Sequence, residues 1–549
     1  MARALRALVA ASVLFASAEA VSKVSRSGRY LYTQDGSRFY IKGIAYQPQG
    51  SVVASASNPF LEPSTFVDPL ADSNACSRDI PYLQQLGVNT IRAYSVNSSL
   101  NHDACMKALS NAGIYTIIDL SLPLNGSIDR ASPSWTTSLL NQYINTIDAF
   151  SSYDNVLAYN VGNEVVTAPN ETSAAPFIKA AARDVKAYLN SKGSSALVGY
   201  AAIDGDESWR DPLASYLSCD PSGSNSGATS IDLYGLNNYE WCGNTTFSQA
   251  YSAVETDFSS YNVAAYFSEF GCITAGTRYW TEVGALFSSQ MSPDWSGGIA
   301  FSYFPATSAQ GQFGMVNISS DGSTVTTGQE FNSLKIEYGS VSPPNSPSQS
   351  SSSASYGSCP SQSANFIGST SLPSTPNAAA CSCFENDLSC QFTPQTSNYS
   401  TILGDLLNYA CSQLGQMGSS CNGIAANGTS GQYGAVSQCD PSIMLSYVMS
   451  EYYTLQNSNA QACYFAGNGT VNSYAPSGTS GLSAASSSCL ASATSVFTPS
   501  ATGGSSSGGS GGGSSGNSGG AISLEDPRAL AGLGVMLAVG LMSGVWTLV

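Results

Sequence analysis

The sequence contains only one histidine, His102, among its 549 residues. A single histidine excludes multi-histidine metal sites. Because His102 directly precedes a predicted helix that begins at Asp103, we interpret it as a surface residue and not as the base of a Ser-His-Asp or Cys-His group. Acid-base chemistry is therefore left to carboxylates, and we expect neither a metal nor a cofactor.

Charged residues are also scarce, at 10% of the chain. The 19 basic residues stand against 36 acidic ones, which gives a formal net charge of −17. A surface of this sign repels nucleic acid and acidic lipids. The composition therefore excludes nucleic-acid-binding classes of protein.

The N-terminal end carries a processing signal. Residues 1–20 contain Arg3 and Arg6, then a short apolar stretch, then the small-x-small sequence at 18–20. This order is typical of a secretory signal peptide. A transmembrane helix is the alternative, but the apolar stretch is short and ends in a cleavage-type sequence, so we expect export.

The C-terminal end carries a second signal at 521–549. Small residues at 517–520 precede a short polar spacer and an apolar tail, and no basic residue follows Arg528. This order is typical of a glycosylphosphatidylinositol (GPI) attachment signal, with Asn517 as the expected attachment residue. A membrane-spanning tail is the alternative. We expect anchoring at the outer face of the plasma membrane.

Cysteine, by contrast, is plentiful. An exported chain with 14 cysteines, an even number, predicts a disulfide framework without a free thiol. N-glycosylation sequons, which we expect mostly on exposed loops, occur at Asn97, Asn125, Asn170, Asn244, Asn317, Asn398, Asn427 and Asn468.

Residues 21–340 alternate short apolar runs with amphipathic helical patterns. The runs are FYIKGIAY (39–46), NTIRAYSV (89–96), IYTIIDL (114–120), VLAYNVGN (156–163), ALVGYAA (196–202), IDLYGLNNY (231–239), VAAYFSEF (263–270) and GGIAFSYF (297–304). Apolar strands that alternate with helices indicate a parallel sheet covered on both faces. Eight repeats predict the α/β class and a closed (β/α)8 TIM barrel. A doubly wound open sheet is the alternative, but no Gly-rich phosphate loop follows the first run.

The composition changes after the barrel. A Ser/Pro/Asn-rich linker is expected over 341–375. Eight cysteines between Cys381 and Cys489 predict a small disulfide-rich, mainly helical module over 376–492. Cys359, in the linker, is left over and is expected to pair with one of the barrel's five cysteines. A flexible Ser/Gly-rich stalk follows over 493–520.

Two glutamates stand at the ends of predicted strands. Glu164 closes the fourth run and Glu269 lies at the end of the seventh. In a (β/α)8 barrel both then point into the C-terminal mouth, where two carboxyl groups can flank one glycosidic bond. A single strand-end glutamate is more often a salt bridge or loop contact, but the pair favours glycoside chemistry.

Several motifs resemble those of glycoside hydrolase family 72, the fungal cell-wall β-1,3-glucanosyltransferases. The matching stretches are IKGIAYQP, NTIRAYSV, YNVGNEV, LNNYEWCG and SEFGC. The segment that begins CSCFEND is similar to carbohydrate-binding module family 43, which occurs in one branch of that family. The resemblance covers nearly the whole mature chain.

The resemblance implies a retaining double displacement, with Glu164 as acid/base and Glu269 as nucleophile. The enzyme would cleave β-1,3-glucan internally and transfer the new reducing end to the non-reducing end of a second β-1,3-glucan. Donor and acceptor glucan chains are thus the expected partners, besides the membrane reached through the GPI anchor. The cell wall is a second possible location.

The resemblance further implies substrate-binding residues, which are Gln47, Tyr94, Asp119, Asn163, Asp206, Arg210, Tyr239 and Tyr303. Asn163 is expected to bond the sugar 2-hydroxyl, and Tyr239 is expected to orient Glu269. Tyr94 and Tyr303 are expected to stack on or bond sugars.

The remaining assignments are less direct. Gln47 and Asp119 close the first and third runs, whereas the segment DGDESWRD around Arg210 does not align cleanly with the family. Whether Asp204 or Asp206 contacts sugar therefore stays open.

The disulfides implied by resemblance are Cys76 with Cys105, Cys219 with Cys359, Cys242 with Cys272, Cys381 with Cys439, Cys383 with Cys489, Cys390 with Cys463, and Cys411 with Cys421. The second of these pairs would tie the linker to the barrel and make a rigid two-domain unit. Whether the module itself binds glucan stays open, because its aromatic residues Tyr433, Tyr452, Tyr453, Tyr464 and Phe465 can serve as sugar platforms or as core.

Two other functions compete with transfer. A hydrolytic β-1,3-glucanase of the same clan would share both glutamates and differ only in admitting water in place of an acceptor sugar. A structural cell-wall glycoprotein would keep the barrel without activity, but the intact Glu164 and Glu269 argue against it.

Overall fold

The computed structural model describes residues 21–52, 63, 65–123, 126–397, 399–476 and 478–490. The signal peptide, the stalk, the GPI signal with Asn517, and the sequons Asn125 and Asn398 lie outside these residues. Over the described ranges, no helix is both long enough and apolar enough to cross a bilayer.

Eight parallel strands form a closed barrel that is preceded by a hairpin. The hairpin strands are β1 (Val24–Ser27) and β2 (Tyr30–Thr33), and the barrel strands are β3 (Ile41–Ala45), β4 (Thr90–Ala93), β5 (Tyr115–Asp119), β6 (Val156–Asn163), β7 (Leu197–Ile203), β8 (Leu233–Asn237), β9 (Ala264–Phe270) and β10 (Trp295–Ala300). Neighbours in the chain are neighbours in the sheet, and β10 pairs with β3 to close it. Each strand overlaps one of the apolar runs, so the predicted barrel is confirmed.

The strands alternate between two apolar layers, as the period of two in a strand requires. Inside the barrel, Ile41, Ile117 and Ile299 pack with Val24 and Leu31 of the hairpin. The hairpin therefore closes the N-terminal end of the barrel. The alternate positions face the surrounding helices in a second, larger cluster. Each buried aliphatic side chain contributes about 1.5–3 kcal/mol.

Helices and short strands complete the barrel domain. The helices are α1 (Ser73–Leu86), α2 (Asp103–Asn111), α3 (Thr137–Phe150), α4 (Ala175–Ser191), α5 (Glu207–Ser218), α6 (Phe247–Ala250), α7 (Ser252–Phe258), α8 (Glu282–Leu286) and α9 (Gln329–Ser340). Two hairpins lie between β10 and α9, and they consist of β11 (Thr307–Ser308) with β12 (Gly311–Gln312) and β13 (Val316–Ile318) with β14 (Val325–Thr327).

The C-terminal module is mainly helical, as predicted. Its helices are α10 (Ala378–Asn386), α11 (Ser400–Gln416), α12 (Pro441–Leu455) and α13 (Gly478–Cys489), and its short strands are β15 (Cys390–Phe392), β16 (Ala426–Asn427), β17 (Gln432–Tyr433) and β18 (Gly469–Val471). The seven disulfides present are the seven implied by the resemblance, and no cysteine in the described residues is free. Four of these bonds lie within the module.

The module packs directly on helices α3 and α4 of the barrel. The carboxylate of Asp440 accepts hydrogen bonds from the Thr137 hydroxyl and from the Ser138 N–H, both at 2.8 Å. Because Ser138 lies in the first turn of α3, a module residue caps a barrel helix. Tyr433 meets Phe177 of α4 edge to face, with ring centroids 5.7 Å apart.

One sequence prediction is wrong because tertiary contacts bury the residue concerned. His102 is 1% exposed, its ring lies 4.3 Å from that of Phe150, and its Nε2 is 2.9 Å from Asp68 Oδ2, so it is not a surface residue. The sequon Asn468 is 4% exposed and its amide nitrogen donates to Phe465 O at 3.2 Å. We therefore expect Asn468 to carry no glycan in the folded protein.

Candidate active site

The two glutamates lie at the C-terminal mouth of the barrel, where β6 and β9 end. Glu269 belongs to β9, and Glu164 directly follows β6. Glu164 has φ of 47°, in the left-handed region that residues other than glycine seldom adopt. Its backbone N–H donates to Ala201 O of β7 at 2.8 Å, which holds it in that conformation.

Both carboxylate oxygens of Glu269 are held by hydrogen-bond donors. Tyr239 donates its hydroxyl to Oε2 at 2.7 Å, whereas Oε1 accepts from the Tyr94 hydroxyl at 2.9 Å and from Arg92 Nη1 at 3.3 Å. Glu269 is 8% exposed, so water competes little for these oxygens. The carboxylate is thus held in one orientation at the mouth.

Burial and hydrogen bonding act on Glu269 in opposite directions. Burial raises the pKa of its carboxyl above the ordinary value, whereas the charge of Arg92 and the hydroxyls of Tyr239 and Tyr94 lower it. Burial also raises the pKa values of both tyrosines well above their ordinary value, so they remain protonated donors.

Arg92 is the centre of the site, although the sequence analysis did not assign it. It is fully buried, and it donates to Asp119 at 2.7 and 3.2 Å and to Asn163 Oδ1 at 2.8 Å. Burial lowers the pKa of Arg92, but the negative charges of Asp119 and Glu269 outweigh it and raise that pKa well above its usual range. The sequence feature that could have identified Arg92 as a site residue is its charge inside the apolar run NTIRAYSV.

The acid/base candidate is joined to this network through amides. Asn163 Oδ1 also lies 3.3 Å from Asn237 Nδ2, and the same nitrogen donates to Glu164 Oε1 at 2.6 Å. Arg130 donates to the backbone oxygen of Glu164 at 2.9 Å. Glu164, Asn163, Asp119, Tyr94, Tyr239 and Glu269 are therefore brought together, as the sequence analysis expected, and the structure adds Arg92 and Asn237.

The structure gives Gln47 a different position from the one expected. Its Oε1 accepts from the backbone N–H groups of Tyr94 and Ser95, both at 3.0 Å, and its Nε2 donates to Val67 O at 2.6 Å. The side chain is thus occupied by backbone groups. It positions the chain that carries Tyr94, and it does not point a free polar group at a substrate.

Tyr303 also differs from the expectation. It is fully buried, and its hydroxyl donates to Asp79 at 3.0 Å, so its ring does not face the mouth. Phe301, two residues earlier, is partly exposed and packs edge to face against Tyr94, with ring centroids 6.1 Å apart. Because Tyr94 touches Glu269, Phe301 is the aromatic residue of this segment that lies beside the nucleophile candidate.

Asp206 and Arg210 lie outside the central network. Asp206 is an exposed N-cap of α5 that accepts from Ser208 N at 3.0 Å. Arg210 pairs with Asp204 at 2.7 Å, with Asp211 at 2.9 Å and with Asp257. These three carboxylates occupy the Arg210 guanidinium, which therefore stabilises the rim of the barrel.

Asp204 is closer to the site than Asp206. Burial raises its pKa to about 6, although the hydrogen bond from Arg210 opposes the effect. Its Oδ2 also accepts from Asn238 Nδ2 at 2.6 Å, and Asn238 directly precedes Tyr239. Asp204 thus supports the loop that carries Tyr239, whose hydroxyl donates to Glu269.

The aromatic candidates of the module divide into core and surface. Tyr453 and Phe465 are each 8% exposed and belong to the module core, whereas Tyr464 is 55% exposed. Tyr433 contacts the barrel, as described above. Throughout the part of the chain that the structure describes, no group of three or more His, Cys, Asp or Glu side chains could hold a metal ion.

Comparison with known proteins identifies the family. The glucanosyltransferase family model of glycoside hydrolase family 72 matches residues 12–342, and an X8 domain model matches 388–470. The 1,3-beta-glucanosyltransferase gas1 of Schizosaccharomyces pombe is 41% identical over 476 residues, which cover 85% of this chain and 82% of that protein. The chain belongs to the glucanosyltransferase family. It is therefore an enzyme that works by transglycosylation.

Other family members agree with this assignment. The 1,3-beta-glucanosyltransferase GAS2 of Saccharomyces cerevisiae is 36% identical, with 79% of this chain and 77% of that protein covered. A solved structure of a mutant Gas2p in complex with laminaritetraose and laminaripentaose superposes with a TM-score of 0.73 at 33% identity. That match covers 85% of this chain and 99% of the other.

Proposed function

We propose that the protein is a retaining β-1,3-glucanosyltransferase in which Glu269 is the nucleophile and Glu164 the acid/base. The observation that carries the assignment is the way in which Glu269 is held. Glu269 accepts from two phenol hydroxyls and a guanidinium, which favour the ionised form that a nucleophile needs. The complex of the related Gas2p with laminari-oligosaccharides supports β-1,3-glucan as substrate.

The reaction takes two steps. Ionised Glu269 attacks the anomeric carbon, the glycosidic bond breaks, and Glu164 gives its proton to the departing oxygen. An acceptor hydroxyl at a non-reducing end then attacks the same carbon, its proton passes to Glu164, and Glu269 leaves. Two inversions return the original β configuration, and the donor's new reducing end is joined to the acceptor.

We propose one direct sugar contact within the network. Arg92 and Asn237 both face Asn163 Oδ1, so the amide nitrogen of Asn163 remains to donate to the sugar 2-hydroxyl. A hydrogen bond there strengthens as positive charge develops at the anomeric carbon. Asp119 is 1% exposed and bound by Arg92, so its role is to hold Arg92.

The two processing signals support a location at the cell surface. We propose that the mature chain is anchored through GPI at Asn517 and acts on glucan of the cell wall. The proposed units are the barrel over 21–340, the linker over 341–375 and the module over 376–492, with the stalk over 493–520 as a spacer from the membrane.

The proposal is tested by incubating the exported protein with a reduced β-1,3-gluco-oligosaccharide and resolving the products by size over time. Products longer and shorter than the starting chain, absent with Glu269→Gln, establish transfer. Shorter products alone would make the protein a hydrolase. No product from the wild type would favour a structural role.

A further inference from the structure

Arg278, on the segment between β9 and α8, holds two other segments of the barrel mouth together. It is 3% exposed, and its guanidinium donates to the backbone oxygens of Phe301 at 2.5 Å and of Phe313 at 2.6 Å. Phe301 directly follows β10, and Phe313 directly follows β12. Because the donors of a guanidinium have a rigid, planar geometry, the two hydrogen bonds fix these segments relative to each other.

Glu330, in the first turn of α9, holds the Arg278 side chain in place. Its Oε2 accepts from Arg278 Nε at 2.8 Å and from Nη2 at 2.5 Å, and its Oε1 accepts from the backbone N–H of Arg278 at 3.0 Å. The guanidinium carbon lies over the ring of Trp280, 4.6 Å from its centroid, and Trp280 Nε1 donates to Glu330 O at 3.0 Å. These contacts on two sides give the Arg278 side chain a single orientation.

Gly271, two residues after Glu269, makes room for this arrangement. Its φ is 121°, in the region that favours glycine. A Cβ added to Gly271 would lie 2.5 Å from Trp280 Cζ3 and 3.3 Å from Arg278 Nη1. A larger residue would therefore displace the ring on which the guanidinium lies. The backbone beside the nucleophile candidate thus admits Trp280 and Arg278.

The two phenylalanines connect the guanidinium to the donors of Glu269. The ring of Phe301 packs edge to face against Tyr94, with centroids 6.1 Å apart, and the ring of Phe313 packs against Tyr239 at 5.7 Å. The two phenylalanine rings meet each other at 5.2 Å. Tyr94 donates to Oε1 of Glu269 and Tyr239 to Oε2. The contacts therefore form a closed cycle that runs from one guanidinium to one carboxylate along two routes.

We propose that Arg278, oriented by Glu330, is a positioning residue that keeps both tyrosine hydroxyls at hydrogen-bond distance from Glu269. Without the guanidinium, Phe301 and Phe313 lose their shared anchor, and their rings no longer hold the tyrosines in place. The inference rests on the proposed nucleophile role of Glu269. It adds to that role the residues behind the two donors that determine how firmly the carboxylate is held.

The measurable consequence is a change in the ionisation of Glu269. Burial raises the pKa of its carboxyl and the two tyrosine hydroxyls lower it, so a weaker hold on the tyrosines raises that pKa. Arg92 of β4 and Asp119 of β5 also act on the Glu269 carboxyl, and both are kept in the variants below. Because Glu269 must be ionised to attack, activity should then be lost at a higher pH than in the wild type.

The test measures Arg278→Lys and Glu330→Ala with a 2,4-dinitrophenyl β-1,3-gluco-oligosaccharide as donor. Dinitrophenol leaves without a proton, so the acid limb of kcat/KM for its release reports the ionisation of Glu269 and not that of the acid/base. Lysine keeps the positive charge but lacks the planar fork that holds both carbonyls. We expect the acid limb to move upward by about 0.5–1 pH unit in both variants.

Arg38→Lys is the matched control for loss of a buried guanidinium. Arg38 is 8% exposed, donates to the backbone oxygens of Ser346 at 2.6 Å and of Ser292 at 3.1 Å, and lies over the ring of Tyr30, 4.2 Å from its centroid. It precedes β3 and therefore lies at the N-terminal end of the barrel, opposite the mouth. Arg38→Lys should lower thermal stability, as Arg278→Lys does, and leave the acid limb in place.

A background without the two hydroxyls separates positioning from a general effect on the site. In the double variant Tyr94→Phe with Tyr239→Phe, both rings remain but neither can donate to Glu269. Because Arg278 acts through these donors, the addition of Arg278→Lys to this background should move the acid limb no further.

Two results would overturn the inference. An acid limb that stays at the wild-type position in the variants would show that the tyrosines need no such anchor, and an equal shift in the background without hydroxyls would show another route. If Arg278→Lys does not fold, Glu330→Ala decides alone, since the Glu330 side chain is 26% exposed and its loss leaves the arginine in the chain. Failure of the proposed function looks different, because Glu269→Gln would then still release dinitrophenol.

Discussion

Replacement of Tyr239 by phenylalanine tests how Glu269 is kept ionised. Tyr239→Phe removes a hydroxyl 2.7 Å from Glu269 Oε2 and keeps the ring, which packs against Phe313 with centroids 5.7 Å apart. The donors to Oε1, Tyr94 and Arg92, remain. The perturbation is therefore confined to one hydrogen bond.

The magnitude follows from the charge on the acceptor. A hydrogen bond to an ionised group contributes about 1.5–3 kcal/mol, and one pKa unit corresponds to about 1.4 kcal/mol. Loss of the Tyr239 hydroxyl should raise the pKa of Glu269 by about 1–2 units, because only the ionised form gains from the donor. Glu269 must be ionised to attack, so activity is lost as pH falls through this pKa. The acid limb of kcat/KM should thus move upward by about 1–2 pH units.

The assay is the pH dependence of initial transfer rates with a reduced β-1,3-gluco-oligosaccharide. Tyr143→Phe is the matched control, because it removes a buried hydroxyl that donates to Val161 O at 2.8 Å without contact to either glutamate. It should lower stability and leave the acid limb in place. If Tyr239→Phe is slow but its acid limb coincides with that of the wild type, the reasoning is refuted.

Three further predictions concern stability and glycosylation. Asp440→Ala removes the cap of α3 and should lower the free energy of unfolding in urea by about 1–2 kcal/mol; an unchanged midpoint would contradict the cap. Arg92→Met leaves Asp119 buried without its cation and should cost about 3–5 kcal/mol in thermal unfolding and abolish transfer; a variant with wild-type stability would exclude a structural role for the pair. Asn170→Gln should remove one glycan in mass spectrometry, whereas Asn468→Gln should remove none, and a glycan found at Asn468 would contradict its burial.

The barrel could be predicted because its signal is repeated along the chain. Each apolar run predicts only a short strand, but eight of them separated by helical patterns admit few architectures. The strand limits differ from the runs by only a few residues, as at Trp295–Ala300 against 297–304. The positions of Glu164 and Glu269 follow from the same repeat, because each ends a strand.

The hydrogen bonds of the central network could not be predicted from the sequence in the same way. Arg92 and Asn237 matter through contacts with residues 27 to 177 positions away in the chain, and spacing alone does not predict these contacts. A buried arginine in a strand was visible as an anomaly, but its partners Asp119 and Glu269 were not.

His102 and Tyr303 differ from their predictions for one reason. The surface position of His102 is predicted from the helix that follows it, and the sugar contact of Tyr303 from the family resemblance. In the fold, Asp68 and Asp79 supply buried acceptors for them. A buried partner makes burial of a polar side chain favourable, and the sequence does not show where that partner lies.

The cap on α3 also means that this helix can be completed only after the module has been synthesised. Asp440 follows Thr137 by 303 residues. At about 5–20 residues per second, synthesis of that interval takes about 15–60 s. The barrel is thus synthesised with one helix end and one face of α4 still uncovered, and this packing is completed only when the module has followed. The sequons Asn97 and Asn170 are translated well before Asp440, so we expect their glycosylation to take place while the barrel is still incomplete.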